Sequence, residues 1–207
     1  MKKYLLVEGI TDVAFVKYIC LKNGITNNFN DFKQNKNQYT FGNKIIINID
    51  GQGNLEKELN FLKNEEHMIS NIFIIQDADN DIKKSKEQIE ETINNSLIEK
   101  NKIKYFLTPN DKDTGNLETL LLSSIENNPV LECFDEYAKC LKENEEVYPK
   151  ALDKGKLHAY TMYSQKGENL YKPVDSFIKK DIDTKLWDIT NDKFKPIMSF
   201  VLEIFKD

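Results

Sequence analysis

Four short apolar runs recur along the first half of the chain, and each is followed by a polar turn. They are Tyr4–Val7, Ile45–Ile49, Ile72–Ile75 and Ile103–Leu107. Runs of this length, rich in β-branched and aromatic residues, predict strands that are buried on both faces, as in a parallel sheet covered by helices. We therefore expect a mainly parallel sheet of four strands.

Between these runs, apolar residues return every three or four positions, which predicts amphipathic helices. The stripes are Val13, Val16 and Ile19, then Leu55, Leu59 and Leu62, then Ile89, Ile93 and Leu97. Thr11 or Asp12 is predicted to cap the first helix, and Ser85 with Gln88 to form a capping box for the third. Strands that alternate with helices in this way predict an α/β fold with right-handed crossovers.

Residues 25–43 interrupt this alternation with a stretch rich in Asn, Gln and Lys. It predicts a long surface connection with room for a short hairpin. The interspersed aromatic residues, Phe29, Phe32, Tyr39 and Phe41, suit either stacking on nucleic-acid bases or anchoring of the connection to the core. We expect the second.

From Gly115 onward the pattern is helical, with apolar stripes over residues 117–125, 130–141 and 197–205 and with Pro196 opening the last helix. We therefore divide the chain into an α/β domain at residues 1–110 and a helical C-terminal portion at residues 111–207 that packs on the sheet domain.

Charge limits the partners that the protein can bind. The 207 residues carry a formal net charge of -5, and all 29 basic residues are lysine. An acidic chain is unsuited to coating nucleic acid by overall electrostatics, and lysine contacts phosphate as a point charge without the bidentate fork of arginine. Local binding of DNA or RNA at a metal site remains open.

Neither a transmembrane segment nor a secretory signal is visible. No apolar run approaches the roughly 18 residues needed to cross a bilayer, and Glu8 interrupts the apolar N-terminus early. We expect a cytoplasmic protein without a membrane partner. Cys20, Cys133 and Cys140 lack the spacing of a metal site and are predicted to be buried free thiols.

Acidic side chains follow two of the predicted strands. Glu8 comes after the first, and Asp77 and Asp79 come directly after the third, where Asp81 extends the series. The carboxyl ends of parallel strands lie at one edge of a sheet, where ligands bind in open α/β folds. Mg²⁺ and Mn²⁺ prefer oxygen ligands, so these acids predict a divalent metal site, to which Glu118 could add a ligand. The alternative is that each acid is an ordinary turn residue.

The segments Leu5-Leu6-Val7-Glu8-Gly9-x-x-Asp12 and Ile74-Ile75-Gln76-Asp77-Ala78-Asp79 resemble the TOPRIM domain of topoisomerases, bacterial primases and nucleases. Among these proteins the chain is most similar to small TOPRIM-like proteins related to the overcoming-lysogenisation-defect (OLD) nucleases. The resemblance implies a Rossmann-type four-stranded sheet. It also implies that Glu8 is both the acid or base and a ligand of Mg²⁺ or Mn²⁺, that Asp77 and Asp79 are metal ligands, and that Glu118 is a further ligand.

OLD-type sites also use a lysine to steady the charged transition state. Lys154 and Lys156 lie in the corresponding part of the chain, and we assign the catalytic role to Lys156, although a surface position suits either residue. Topoisomerases and primases generally have glycine where this chain has Ile82. The P-loop pattern is missing too, so any ATPase partner would be a separate protein.

These observations favour a nuclease that hydrolyses DNA or RNA phosphodiesters with Mg²⁺ or Mn²⁺, in a defence or repair system. The alternative is a non-catalytic TOPRIM-like module that binds metal or nucleotide and serves in regulation or assembly. An ordinary nucleotide-binding domain is a weaker third hypothesis, because no glycine fingerprint follows the first strand.

Overall fold

A computed structural model of the chain describes residues 1–143, 149–164 and 186–206, which form a six-stranded mixed sheet with helices on both faces. The strands are β1 (Lys2–Val7), β2 (Lys33–Asn35), β3 (Gln38–Phe41), β4 (Lys44–Asn48), β5 (Ile69–Asp77) and β6 (Ile103–Thr108). The helices are α1 (Ile10–Lys22), α2 (Leu55–Lys63), α3 (Ile82–Asn95), α4 (Leu117–Ser123), α5 (Pro129–Lys142), α6 (Pro149–Ser164) and α7 (Lys195–Phe205). The remainder of the predicted helical portion, at 144–148, 165–185 and 207, lies outside the described residues.

The sheet has six strands, in the order β2-β3-β4-β1-β5-β6, rather than the predicted four. The neighbours β4, β1, β5 and β6 run parallel, whereas β3 is antiparallel to both β2 and β4. The prediction was incomplete because residues 25–43 also form two strands of the sheet and are more than a surface connection. Their polar residues form the exposed β2 and its turn, and Tyr39 pairs with Ile46 to extend the sheet beyond β4.

Aromatic side chains anchor this added hairpin to the core, as expected. Phe32 and Tyr39 are both buried. The ring centroid of Phe32 lies 5.1 Å from that of Phe41 and 6.0 Å from that of Phe205 in α7. The ammonium of Lys17 lies 4.2 Å from the centroid of the Tyr39 ring, within the range of a cation–π contact.

Alternate residues of the parallel strands supply two separate core layers. Leu5, Val7, Phe73 and Ile75 pack with α1, α4 and α7 on one face of the sheet. Their neighbours along the strands, among them Leu6, Ile72 and Ile74, pack with α2 and α3 on the other face. Strands buried on both faces lose the usual polar alternation, which explains the continuous apolar runs in the sequence. The C-terminal helix α7 shares the first layer with β1.

Two helices begin differently from prediction. Gly9, rather than Thr11 or Asp12, is the N-cap of α1, and the Asp12 carboxylate accepts a 2.8 Å hydrogen bond from the Gly9 N–H. Helix α3 is capped by Asp81, whose Oδ1 accepts hydrogen bonds from the backbone of Lys83 and Lys84. Asp81 therefore stabilises a helix end. The Ser85 hydroxyl, predicted to cap, instead donates to the Ala78 carbonyl at 2.8 Å.

The cysteine prediction is correct for only one residue. Cys20 is buried in the first core layer, and burial raises the pKa of its thiol to about 12. Cys133 and Cys140 are exposed. They lie on α5, which buries Leu131 and Ala138 and leaves both thiols on its outer side.

Candidate functional site

Three strand ends and one helix start meet at a single edge of the sheet. Glu8 follows β1, Gly51 follows β4, Asp77 ends β5 and Glu118 lies in the first turn of α4. They line a pocket with a volume of ≈ 190 Å³, which we call the acidic pocket. Among the described residues its lining is Glu8, Gly9, Thr11, Asp12, Gly51, Asp77, Leu117, Glu118 and Lys154.

Backbone hydrogen bonds hold the loops around this pocket. The Gly51 N–H donates to the Glu8 carbonyl at 2.9 Å, which joins the loop after β4 to the loop after β1. The Ala78 N–H donates to the Thr108 carbonyl at 3.0 Å and extends the pairing of β5 and β6 past Asp77. The positions of Glu8 and Asp77 are therefore set by the sheet itself.

A two-residue bridge brings α4 to the same edge. Asp79 and Gly115 exchange backbone hydrogen bonds of 2.9 and 2.7 Å. Asp79 has a φ of 53° and Gly115 a φ of 136°, so both are in the left-handed half of conformational space. Since Asn116 caps α4 directly after this bridge, the bridge places Glu118 beside the strand ends.

Substitution of Gly115 by alanine is expected to lower the free energy of unfolding by about 1–3 kcal/mol. The φ of 136° disfavours any side chain, and an added Cβ would lie 2.9 Å from Thr119 Oγ1. Urea denaturation measures the loss. Gly24→Ala is the matched control, because Gly24 also has a positive φ (70°) but has no atom within 4 Å of an added Cβ. Equal losses in the two variants would show that contact with Thr119 contributes nothing.

The Asp77 carboxylate is the electrostatic centre of the acidic pocket. Its burial, together with the negative charges of Glu8, Glu118 and Asp79, raises its pKa to about 7. The Thr108 hydroxyl acts in the opposite direction, since its 2.7 Å hydrogen bond to Asp77 Oδ1 stabilises the ionised form. Thr108 therefore fixes the orientation of this carboxylate.

Asp12 also belongs to the acidic pocket, although it was not among the predicted site residues. Burial and the charges of Asp77, Glu8 and Glu118 raise its pKa well above the ordinary value, against the opposing effect of its hydrogen bond from the Gly9 N–H. The sequence contained a signal for this position. A residue in the first turn of the helix after β1 stays near the strand end, and Asp12 lies four residues after Glu8.

The structure places the two candidate lysines differently. Lys154 lines the acidic pocket. Lys156 lines a neighbouring pocket between α5 and α6, which also contains Asp79, and its ammonium contacts both carboxylate oxygens of Asp135 at 2.6 and 2.7 Å. A 2.8 Å hydrogen bond between Thr119 Oγ1 and Asp153 fixes α6 against α4 and so holds Lys154 near the acids. The catalytic role of Lys156 stays a prediction.

The acidic side chains of the pocket have the right chemistry to bind a divalent cation. In their present rotamers they do not converge on one point. Across residues 1–143, 149–164 and 186–206, no group of three or more His, Cys, Asp or Glu side chains is arranged to hold a metal ion. Yet four carboxylates line one small pocket, and carboxylate oxygens are the ligands that Mg²⁺ and Mn²⁺ prefer. Binding would require these side chains to rotate towards one point, and the cation would relieve their mutual repulsion.

The fold and this site define an α/β protein with an acidic pocket at the carboxyl ends of its parallel strands. The chain belongs to the family described as "Protein of unknown function (DUF3226)", whose model matches residues 2–206. The crystal structure of hypothetical protein PH0156 from Pyrococcus horikoshii OT3 has a similar fold, with a TM-score of 0.56 and 16% identity over 99% of this chain and 95% of that chain. No curated protein matches. None of the helices in the described residues has the length and apolar character needed to cross a membrane.

Proposed function

We propose that the protein is a divalent-metal-dependent nucleic-acid phosphodiesterase of the TOPRIM type, related to the OLD nucleases. The observation that carries the proposal is the convergence of Glu8, Asp12, Asp77 and Glu118 from separate elements on one pocket. Burial and repulsion hold the pKa of Asp12 and Asp77 above the ordinary value, which is unfavourable for folding. Such a cluster suits a function that needs concentrated negative charge.

Glu8, Asp77 and Glu118 would hold Mg²⁺ or Mn²⁺, with Asp79 as a ligand once its side chain turns from the neighbouring pocket. The bound cation would polarise the scissile phosphodiester and offset the charge that develops on it. Thr108 would orient Asp77 through its hydrogen bond, and Asp12 would add negative charge while its hydrogen bond to Gly9 fixes the start of α1.

Glu8 and Lys154 are the residues that we assign to the reaction itself. Glu8 is partly exposed, so its carboxylate can orient a water for attack on phosphorus and accept the proton of that water. Lys154 is exposed at the same pocket and its ammonium can stabilise the negative charge of the phosphate. We prefer Lys154 to Lys156 for this role because Asp135 already engages the Lys156 ammonium.

The substrate class is DNA or RNA held locally at the metal site in the cytoplasm. The net charge of -5 opposes broad electrostatic binding of a nucleic acid. All 29 basic residues are lysine, so no arginine is present to bind guanine bidentately. Binding would therefore depend on the cation and on Lys154, which lines the pocket. A separate ATPase would supply any ATP-driven step, in a defence or repair system.

The test is cleavage of single- and double-stranded DNA and RNA with Mg²⁺ or Mn²⁺. Glu8→Gln should lower turnover by about 10²–10⁴-fold, the usual contribution of a positioned general base. The matched control is Glu87→Gln on the exposed side of α3, which should retain wild-type turnover. Calorimetric titration with Mn²⁺ in parallel reports whether the metal binds.

If wild type cleaves none of these substrates but binds Mn²⁺, the nuclease proposal fails. The non-catalytic regulatory or assembly module then becomes the explanation of the acidic pocket. Cleavage that survives Glu8→Gln at the wild-type rate would equally remove Glu8 from the reaction.

A further inference from the structure

A large cavity lies between α1 and the β2–β3 hairpin, and we call it the hairpin cavity. Its volume is ≈ 580 Å³, within the range of sites that enclose a small organic molecule. Ile10, Val13, Ala14 and Lys17 line it from one stripe of α1, where residues three and four positions apart lie on the same face. Among the described residues it shares no lining residue with the acidic pocket, so it is a separate site.

Apolar side chains form most of the wall of the hairpin cavity. Three aromatic residues, Phe29, Phe32 and Tyr39, line it together with the apolar residues of α1. Phe32 and Tyr39 are buried, as are Val13 and Ala14 on the helix. Protein interiors are close-packed and contain few voids larger than a water molecule. A cavity of this size against buried apolar residues therefore indicates space for the apolar body of a ligand.

The charge of this lining is opposite to that of the whole chain. Lys17 and Lys33 are its only charged members among the described residues, whereas the chain carries 34 acidic and 29 basic residues. Lys17 is 8% exposed, and its ammonium lies 4.2 Å from the ring centroid of Tyr39 and 5.2 Å from that of Phe32, two rings that also line the cavity. A cleft that combines positive charge with apolar walls of low dielectric attracts anions.

The exposed end of the hairpin cavity offers hydrogen-bond donors. Asn30, Lys33 and Gln34 line the cavity and are exposed, so they mark the side that solvent reaches. Their amide and ammonium N–H groups can donate to an anionic oxygen. Because the Lys17 ammonium contacts two rings on the buried side, Lys33 supplies the positive charge at this end, and one positive charge suits a monoanion.

We propose that the hairpin cavity binds a small carboxylate with an apolar or planar body. The carboxylate lies at Lys33, where its two oxygens can accept from the ammonium and from the amides of Asn30 and Gln34. The body of the ligand lies against the rings of Phe29 and its aromatic neighbours. A neutral molecule would leave the charge of Lys33 unmatched, and a dianionic phosphate would exceed it.

The first test compares two fluorescent probes that differ in one anionic group. Anilinonaphthalene sulfonate carries a monoanionic sulfonate on a planar apolar body, and phenylnaphthylamine is the same body without the sulfonate. Titrated into the wild-type protein in EDTA, the sulfonate should bind saturably and at least about tenfold more tightly than the neutral probe, the usual effect of a hydrogen bond to a charged group. Equal affinity for the two probes would overturn the inference.

Variants locate the bound probe. Lys33→Gln keeps a donor but removes the charge, so it should abolish most of the preference for the sulfonate and leave the neutral probe unaffected. Lys33 is exposed on β2, so this substitution leaves the core intact. The matched control is Lys57→Gln, an exposed lysine of α2 on the other face of the sheet, which should bind both probes as wild type does. Unchanged sulfonate affinity in Lys33→Gln would contradict the proposal.

A second variant fills the cavity. Ala14→Leu adds side-chain volume at a position that lines the hairpin cavity, so it should weaken both probes by at least about tenfold. Wild-type affinity for both probes in folded Ala14→Leu protein would place the probes elsewhere and overturn the inference.

Competition with natural types of carboxylate identifies the class of ligand. Displacement of the sulfonate probe by decanoate would indicate an aliphatic carboxylate, and displacement by indole acetate an aromatic one. Failure of both to displace it would overturn the inference. These measurements use neither metal nor nucleic acid, so their outcome is independent of whether the acidic pocket cleaves phosphodiesters.

Discussion

Asp77→Asn is expected to abolish metal-dependent cleavage while making the metal-free protein more stable. Loss of a residue that merely orients a metal ligand costs 10–100-fold in activity or affinity, so loss of the ligand itself should lower cleavage by at least about 100-fold. Asparagine keeps an oxygen that can accept the Thr108 hydrogen bond, which preserves the local packing. The activity loss would therefore come from the missing charge.

The gain in stability follows from the same charge. Because the pKa of Asp77 is about 7 in the fold against an ordinary value of 3.8, its ionisation near pH 8 disfavours the folded state. A difference of this size corresponds to at most roughly 4 kcal/mol. Each kcal/mol recovered should raise the thermal midpoint by roughly 2–4 °C in a chain of this length.

Thermal unfolding in EDTA and cleavage assays with Mn²⁺ measure the two effects in the same preparations. The control is Asp113→Asn in the exposed loop after β6, which removes the same charge from an exposed carboxylate that accepts a hydrogen bond from Asn110. It should leave both quantities unchanged. A lower midpoint for Asp77→Asn would mean that the Asp77 carboxylate stabilises the fold, and the electrostatic account of the acidic pocket would be wrong.

The positions of the main acids could be predicted because strand ends are visible in the sequence. Ile72–Ile75 is an uninterrupted apolar run, so the point where β5 leaves the core is marked by Asp77. The same reasoning applied to Glu8 after β1. Parallel pairing of β1 with β5, in the register Val7 opposite Ile75, then brings the two carboxylates to one edge without further information.

Other features depend on contacts that local pattern does not encode. The β2–β3 hairpin is polar on its exposed side and becomes part of the sheet through the burial of Tyr39 and the packing of Phe32 against distant Phe205. Asp81 and Asp79 are two residues apart, yet one caps α3 and the other pairs with Gly115. Which of two nearby acids becomes a cap is decided by where the chain turns.

The placement of Lys154 and Lys156 in different pockets also depends on a contact that the local sequence pattern does not encode. Residues two positions apart on a helix point in different directions, so only one of the two lysines can face the acidic pocket. The direction is set by the rotation of α6, which Thr119 fixes through Asp153. Sequence alone contains both lysines but not this rotation, so it does not show that Lys154 lines the acidic pocket and Lys156 the neighbouring one.

Divalent metal is expected to oppose the loss of stability that the metal-free protein shows as pH rises. In the metal-free protein, folded Asp77 holds its proton up to about pH 7, whereas the unfolded chain releases it near its ordinary value of 3.8. The folded state then binds more protons in this range, so the free energy of unfolding falls as pH rises from about 4 to 7 and levels off above. The raised pKa of Asp12 acts in the same direction.

Mn²⁺ or Mg²⁺ binds only ionised carboxylates, so its affinity for the folded protein should grow as pH rises through about 7. Stabilisation by a ligand increases with its concentration relative to Kd, and this gain opposes the loss seen without metal. Urea midpoints measured between pH 5 and pH 8, in EDTA and in Mn²⁺, should diverge towards high pH. Asp77→Asn should flatten the EDTA curve and remove most of the metal effect. Parallel curves for wild type with and without Mn²⁺ would show that the acidic pocket holds no metal.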